Sequence, residues 1–404
     1  MNKYPLPKFP EDVKSKCKNA VKLAAEWHSR VQIRHSWPAW TSDAGRFMSQ
    51  HALTRKDKSY YSICWNTSRG AQACLSAYKL LKDPSMLDTA KRAMEYVKMC
   101  QIFSPEYPQH AGAFVEETPQ TDHIASRDSV EALQGLVNTY VITKDPVYLQ
   151  RAKAGADWWK NWFIKYGYPN GYIWHAKEND KGTVNNDFSR IMLGAVALVF
   201  CQLDTILGEK KYSPAAAPLI DWIIDNTLEA DGALKLHDGT DVGHHAIQDG
   251  PYANCFTNDD GAMISIMAAY RVLGDKKYHE AVMRNSSWWL KVPVIEHPYA
   301  STPAILVNLV DFYRFTGNEA FLSKALDYAE KLFKLQITES DDPHALGGFR
   351  GHDHSSKKEI AFFDGIAEYD IVSHRTTMYA MMGLSKMAAS TEDEWNMAYS
   401  AFGW

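Results

Sequence analysis

Five arginines, Arg69, Arg127, Arg190, Arg350 and Arg375, stand near the starts of segments with a helical pattern. A guanidinium is planar and permanently charged, and it grips a carboxylate through two parallel hydrogen bonds. Such a set points to an anionic ligand, most simply a uronate. The competing assignment for each arginine is a brace at a helix start, paired with a neighbour such as Asp128 or Asp187. Asn185, Asn186, His244 and His245 add neutral donors and imidazoles in two further polar stretches. Together these residue types can neutralise a sugar carboxylate and acidify the adjacent C–H. Tyr252 or Tyr299, with His245 or His297, are then candidates to remove that proton and to protonate the leaving oxygen. A different chemistry would set Asp259 or Asp260 with Asp128 across a glycosidic bond as a carboxyl pair. An Asp at those positions is also what any helix start prefers. Trp174 is the candidate aromatic platform for a sugar ring.

The elements that must position these residues follow from a pattern that recurs. Residues 257–291, TNDDGAMISIMAAYRVLGDKKYHEAVMRNSSWWL, read as a helical hairpin. Thr257 or Asn258 can cap the first helix, Gly274 suits its C-terminal end, and Asp275 can cap the second. The same joint returns at 80–97, 140–159, 205–223 and 314–333, spaced by roughly 45 to 65 residues, which marks a repeat architecture. Amphipathic outer helices are expected at 11–30, 85–101, 146–164, 213–228, 276–290 and 318–335. Inner helices, apolar on nearly all sides, are expected at 64–81, 127–143, 187–207, 259–273, 302–316 and 374–389. Closing the ring through the first helix predicts an all-α (α/α)6 toroid, a single domain over 1–404, with a seventh pair possible within 31–62. The inner helices then run parallel, and the long polar loops before them meet at one mouth while the opposite joints stay short.

Composition narrows the partners. A formal net charge of −4 excludes the basic footprint of a nucleic-acid binder, and no apolar run is long enough to span a membrane. The six cysteines are scattered without C-x-x-C spacing. His352-Asp353-His354 and His244-His245 lack the ligand spacing of a metal site, and no nucleotide-binding loop is present, so no metal or other cofactor is expected. The first residues lack the apolar core of a signal peptide, which predicts either a cytoplasmic protein or an exported one whose leader has been removed.

The repeated joints, the Thr257-Asn258-Asp259-Asp260-Gly261 opening and the fragment Gly347-Gly348-Phe349-Arg350-Gly351 resemble the six-hairpin, toroidal carbohydrate-active enzymes. That group includes uronate-specific polysaccharide lyases and unsaturated glucuronyl hydrolases, and the likeness covers most of the chain. The stretch CWNTSRGAQACLSAYKLL (64–81) is similar to an Arg-Gly-Gln-Ala-Trp segment of unsaturated glucuronyl hydrolases, but Ala71 interrupts it and the Trp is missing. The catalytic aspartates of those enzymes are therefore not carried over. The resemblance implies an acidic oligo- or polysaccharide substrate. A lyase acting by β-elimination comes first, a hydrolase of glucuronyl-type residues second, and a glycan-binding or epimerase-like toroid third.

Overall fold

The computed structural model describes residues 4–34, 43–60, 62–116, 123–166, 171–175, 181–185, 194–235, 247, 250–253, 255–257, 261–295, 301–351, 370–396, 400–402 and 404. Among these, the helices are α1 Glu11–Val31, α2 Cys64–Leu81, α3 Pro84–Met99, α4 Ser126–Thr143, α5 Pro146–Tyr166, α6 Ala195–Leu207 and α7 Ser213–Thr227. They continue as α8 Ala262–Leu273, α9 Lys276–Lys291, α10 Ser301–Thr316, α11 Ala320–Leu335, α12 His374–Ala388 and the short α13 Glu392–Trp395.

Two kinds of helix alternate, and burial tells them apart. In α12 every residue is buried, and in α2 every residue from Cys64 to Ala77 is. In α11 the buried set is Phe321, Lys324, Ala325, Tyr328, Ala329 and Leu332, the single stripe of an amphipathic helix lying on a core. The inner helices α2, α4, α6, α8, α10 and α12 each pack on the next, and α12 packs back on α2. Each inner helix also pairs with an outer one, and α12 takes α1 as its partner. The fold is therefore the expected (α/α)6 barrel, closed by joining the last inner helix to the first helix of the chain.

The joints form for local reasons. Lys82, Lys144, Gly208, Gly274 and Gly317 all have φ between 56° and 79°, ending the preceding helix in the left-handed region. At four of them the side chain of the next residue accepts from the backbone N–H two positions on, where the outer helix begins. Asp83, Asp145, Asp275 and Asn318 accept from the backbone N–H groups of Ser85, Val147, Lys277 and Ala320 at 2.8–3.0 Å. At the remaining joint Asp204 reaches forward instead, accepting from the N–H groups of Lys211, Tyr212 and Ser213.

Two expectations are corrected. Thr257 does not cap α8: that helix starts at Ala262 behind Gly261, whose φ of 80° turns the chain in without a side-chain cap. Asn258 lies outside the described residues. Within 31–62 no further helical pair occurs among the described residues. That stretch holds β1 Gln50–Ala52 and β2 Lys58–Ser59, and β1 also pairs with β6 Ile371–Ser373 in the register Gln50↔Ser373. A second sheet joins β3 His123–Ala125, β4 Gly171–His175 and β5 Lys181–Asn185. Both sheets stand at the mouth, because β3 runs directly into α4 and β6 into α12. The inner helix expected from 187 is described only from Ala195.

The outer ring is linked by a second repeated device. After α1, α3, α7 and α11 the chain forms one β-bridge between a residue one or two past the helix and the residue two beyond a glycine: Gln32↔Phe47, Gln101↔Phe114, Leu228↔Leu234 and Gln336↔Phe349. Gly112 and Gly347 show why glycine is needed. Their φ values are 96° and 91°, and an added Cβ would collide with the carbonyl oxygens of Ala154 in α5 and Leu23 in α1. The Gln101 amide donates to the Gly112 and Arg151 carbonyls, both at 3.0 Å, and the Gln336 amide donates to those of Gly347 and Ala20 at 3.1 and 2.8 Å. Each return thus fastens one outer helix to the next, and the return after α11 fastens to α1. Two stability measurements check this account by chemical denaturation. Gly347→Ala is expected to cost about 3 kcal/mol. Lys144→Gly is expected to gain about 1 kcal/mol by relieving the left-handed backbone of a non-glycine residue.

Candidate functional site

The mouth end of the inner ring gathers a polar cluster inside an otherwise apolar wall. Ser373 caps α12 by accepting from the Thr376 N–H at 3.3 Å, which sets Arg375 in the first turn. The Arg375 side chain is buried, and its guanidinium lies 5.0 Å from the centre of the Trp65 ring in the first turn of α2. Just over one turn deeper, Arg69 is fully buried. Its Nε donates to Glu131 Oε2 at 3.2 Å, its Nη2 stands 2.8 Å from Glu131 Oε1, and its Nη1 donates to Gln134 and Gln72 at 2.7 and 3.2 Å. The Tyr379 ring of α12 lies 5.9 Å away. Further down, Asn138 donates to Gln72 at 3.1 Å and Gln202 to Asn138 at 3.5 Å, so one network crosses α2, α4 and α6. A buried ion pair offsets its desolvation only when its remaining donors and acceptors are also satisfied, and Gln72 and Gln134 serve that purpose for Arg69.

Of this cluster the sequence reading contains Arg69 and Arg375. It lacks Trp65, Gln72, Glu131, Gln134, Asn138, Gln202 and Tyr379. The signal was present: Arg69, Gln72 and Ser76 repeat at i, i+3, i+7, and so do Glu131, Gln134 and Asn138. On helices buried all round, a polar stripe at that spacing faces one common axis.

The other candidates fall into three groups. Tyr252 ends a 3-10 turn, Gly250–Tyr252, where its hydroxyl donates to the Lys291 carbonyl at 3.2 Å and its ring meets Trp288 edge-on. It is thereby anchored to the C-terminal end of outer helix α9, not to the Arg69–Arg375 cluster. Arg350 follows the Gly347 return, donates its backbone N–H to the Leu335 carbonyl and bridges to Val372 of β6, the strand that leads to Arg375. For Arg127, Trp174 and Asn185 the backbone alone is described: Arg127 in the first turn of α4, Trp174 opposite Ile124 and Gly182, and Asn185 opposite Gly171. Asn186, Arg190, His244, His245, Asp259, Asp260, His297 and Tyr299 lie outside the described residues.

Behind Arg375, His374 turns away from the barrel axis into a buried group with His28 and Phe47. Its ring stacks on Phe47 at 4.7 Å and lies 5.0 Å from His28, and neither of its nitrogens has a hydrogen-bond partner among the described residues. His28 holds the Ala24 carbonyl through Nδ1. Burial lowers the His28 pKa from 6.5 to about 4 and pushes His374 well down too, with the neighbouring His28 adding to the effect. All six cysteines are free and buried, and burial raises the Cys17 and Cys201 thiols to about 12, so neither supplies a thiolate. Among the described residues no three His, Cys, Asp or Glu side chains converge on a metal position, and no helix is long and apolar enough to cross a membrane.

This arrangement sits in a fold already seen in solved structures. A sugar epimerase from a ruminal bacterium superposes with a TM-score of 0.65 at 16% identity, over 92% of this chain and 98% of that one. A cellobiose 2-epimerase from Bacillus thermoamylovorans gives 0.62 at 14%, over 93% and 99%. An unsaturated glucuronyl hydrolase specific for heparin gives 0.62 at 13%, over 93% and 97%. The shared property is the six-hairpin toroid, spanned nearly end to end. No known family pattern and no curated sequence matches the chain.

Two predictions follow from the buried groups. Glu131→Gln leaves the Arg69 guanidinium buried without its counter-charge and is expected to destabilise the protein by about 3 kcal/mol or more, whereas the joint change Arg69→Met with Glu131→Leu costs less; urea unfolding of both variants checks this. For the histidines, the folded state holds the neutral rings, because their pKa values lie below the unfolded 6.5. Their contribution is complete above that value and is lost as pH falls toward 4. Between about pH 8 and about pH 5 the His28 contribution is expected to fall by about 2 kcal/mol. His28→Leu should flatten that part of the stability profile.

Proposed function

We propose that the protein is a carbohydrate-active enzyme working at the mouth end of the inner helices, and that it cleaves a uronic-acid-containing glycan by β-elimination. The observation that carries this reading is the Arg375 guanidinium lying over Trp65 at the start of two adjacent inner helices. An aromatic face beside a fixed positive charge suits a sugar ring that bears a carboxylate. The Arg69–Glu131 network beneath it is preorganised, so it needs no rearrangement when charge develops above it.

In the proposed reaction, Arg375 with Arg127, Arg190, Arg350, Asn185, Asn186 and His244 neutralises the C6 carboxylate, and Trp174 stacks on a neighbouring sugar. Arg69 acts from below, since Glu131, Gln72 and Gln134 already take its donors. A base removes the C5 proton, the C4–O bond breaks, a C4=C5 double bond forms, and an acid protonates the departing oxygen. His245 or His297 and the tyrosines fill these two roles. The Tyr252 hydroxyl is committed to Lys291, which favours Tyr299 of the two. The same proposal takes 1–404 as one barrel domain, supported by a large hydrophobic cluster that contains residues from Phe9 to Phe402.

A second reading is hydrolysis of a glucuronyl-type residue by Asp128 with Asp259 or Asp260. It is supported by the burial of Asp128 in the first turn of α4 and by the fold shared with a structure named as a glucuronyl hydrolase. Glu131 is unsuited to the acid role, because both its oxygens face Arg69.

Digestion of alginate, glucuronan and glycosaminoglycans separates the two. Ultraviolet absorbance of unsaturated uronates rising together with reducing ends means elimination; reducing ends alone mean hydrolysis; neither product overturns the enzymatic reading. Under elimination, Arg375→Ala is expected to lower kcat/KM by about 100-fold with an unchanged circular dichroism spectrum, while Asp259→Asn and Asp260→Asn retain activity.

A further inference from the structure

The far end of the barrel holds a second charged group that the glycan reading does not use. Three parallel inner helices each place a cation in or near their last turn: Arg271 on α8, Arg314 on α10 and Lys386 on α12. Residues 392–396, 400–402 and 404 lie against these helix ends. Lys386 Nζ donates to Asp311 Oδ1 at 2.7 Å and to the Val307 carbonyl at 3.1 Å. Asp311 also accepts from Ser400 Oγ at 2.9 Å and from the Ala401 N–H at 3.0 Å. Arg314 Nη2 donates to both Glu392 oxygens at 2.9 and 3.1 Å, and Arg271 Nη1 donates to the Ala401 carbonyl. Aromatic rings cover the cations: Trp395 lies 4.9 Å from Arg314 and 5.4 Å from Lys386, and Trp404 lies 4.6 Å from Arg271.

The balance of charge here is uneven. Three cations meet Asp311 and Glu392, and the Glu392 side chain is 45% exposed, so it screens weakly. The helix C-termini carry about half a negative charge each, which favours cations at these positions but supplies no acceptor for the open edge of Arg314. That side chain is fully buried, and its Nε and Nη1 have no hydrogen-bond partner among the described residues. A buried guanidinium edge left unsatisfied is costly. Burial lowers the pKa of Arg271 and brings Lys386 down to about 8, and in both cases the charge on Arg314 adds to the effect, as expected of three cations that feel one another.

We propose that the floor of the barrel is a binding site for a small inorganic anion of the halide class, seated against Nε and Nη1 of Arg314 beside Arg271 and roofed by Trp395, Phe402 and Trp404. Arg271 and Trp404 are only partly buried, which gives the ion a way in from the face opposite the mouth. The site stands apart from the glycan reading, so either can fail without the other.

The test uses the whole protein in sodium gluconate, titrated with sodium chloride or bromide at constant ionic strength. A saturable rise in Tm of about 2 °C is expected with either halide. Crystals soaked in bromide should show an anomalous peak beside Arg314. Arg271→Gln, checked for folding by circular dichroism, should weaken halide affinity at least tenfold. Superimposable gluconate and halide curves, or bromide-soaked crystals without a peak at Arg314, would overturn the proposal. The bromide result on the unaltered protein decides even if the variant does not fold.

Discussion

Closure of the helical circle is the constraint on which the rest of the molecule depends. A row of hairpins has two raw ends, each exposing the flank of an inner helix that is apolar on every side. Here α12 fills the gap between α10 and α2 and takes α1 as its outer partner. Gln336 and Gly347 then tie the last return to the backbone of α1. The chain therefore folds its first and last thirds against each other, and the β1–β6 pairing reinforces the same seam. The buried His28, Phe47 and His374 sit at this junction, which couples the integrity of the ring to the neutrality of two imidazoles.

Once the circle is closed, the barrel axis becomes the place where inner-helix polar groups can meet. Arg69, Glu131, Gln134, Gln72, Asn138 and Gln202 form one connected path across three helices. Lys386 and Asp311 form another beneath it. Such networks add little net stability over an apolar core, but breaking one partner leaves a charge with nothing to face. Their value is positional: they hold Arg69 under the mouth and α12 against the floor in single arrangements.

The superposed structures make the same point from outside. Proteins named as epimerases and as a glucuronyl hydrolase share this ring nearly end to end at sequence identities of 13–16%. A scaffold that leaves one mouth ringed by loops can present different acids, bases and anion donors without altering its helices. Under the proposed function the chemistry of this chain falls to few groups: an arginine over an indole, a braced guanidinium, and the loop residues that lead into the inner helices.

The sequence by itself determined the hairpins and their order, because the signals are local. A left-handed residue followed by Asp or Asn ends one helix and begins the next within a few positions, as at Lys82-Asp83 and Gly274-Asp275, and the stripe of α11 is visible in its spacing. Arginine near the mouth was legible for the same reason. What Arg69 faces was decided by tertiary structure, since Glu131 and Gln134 belong to another hairpin and a helix buried all round shows no preferred side. The anchoring of Tyr252 on Lys291 and the pairing of β1 with β6 likewise rest on contacts between segments far apart in the chain. Helical hydrogen bonds close within four residues and leave a trace in local pattern. Strand pairing and the choice of a buried partner are settled only when distant segments compete for the same space.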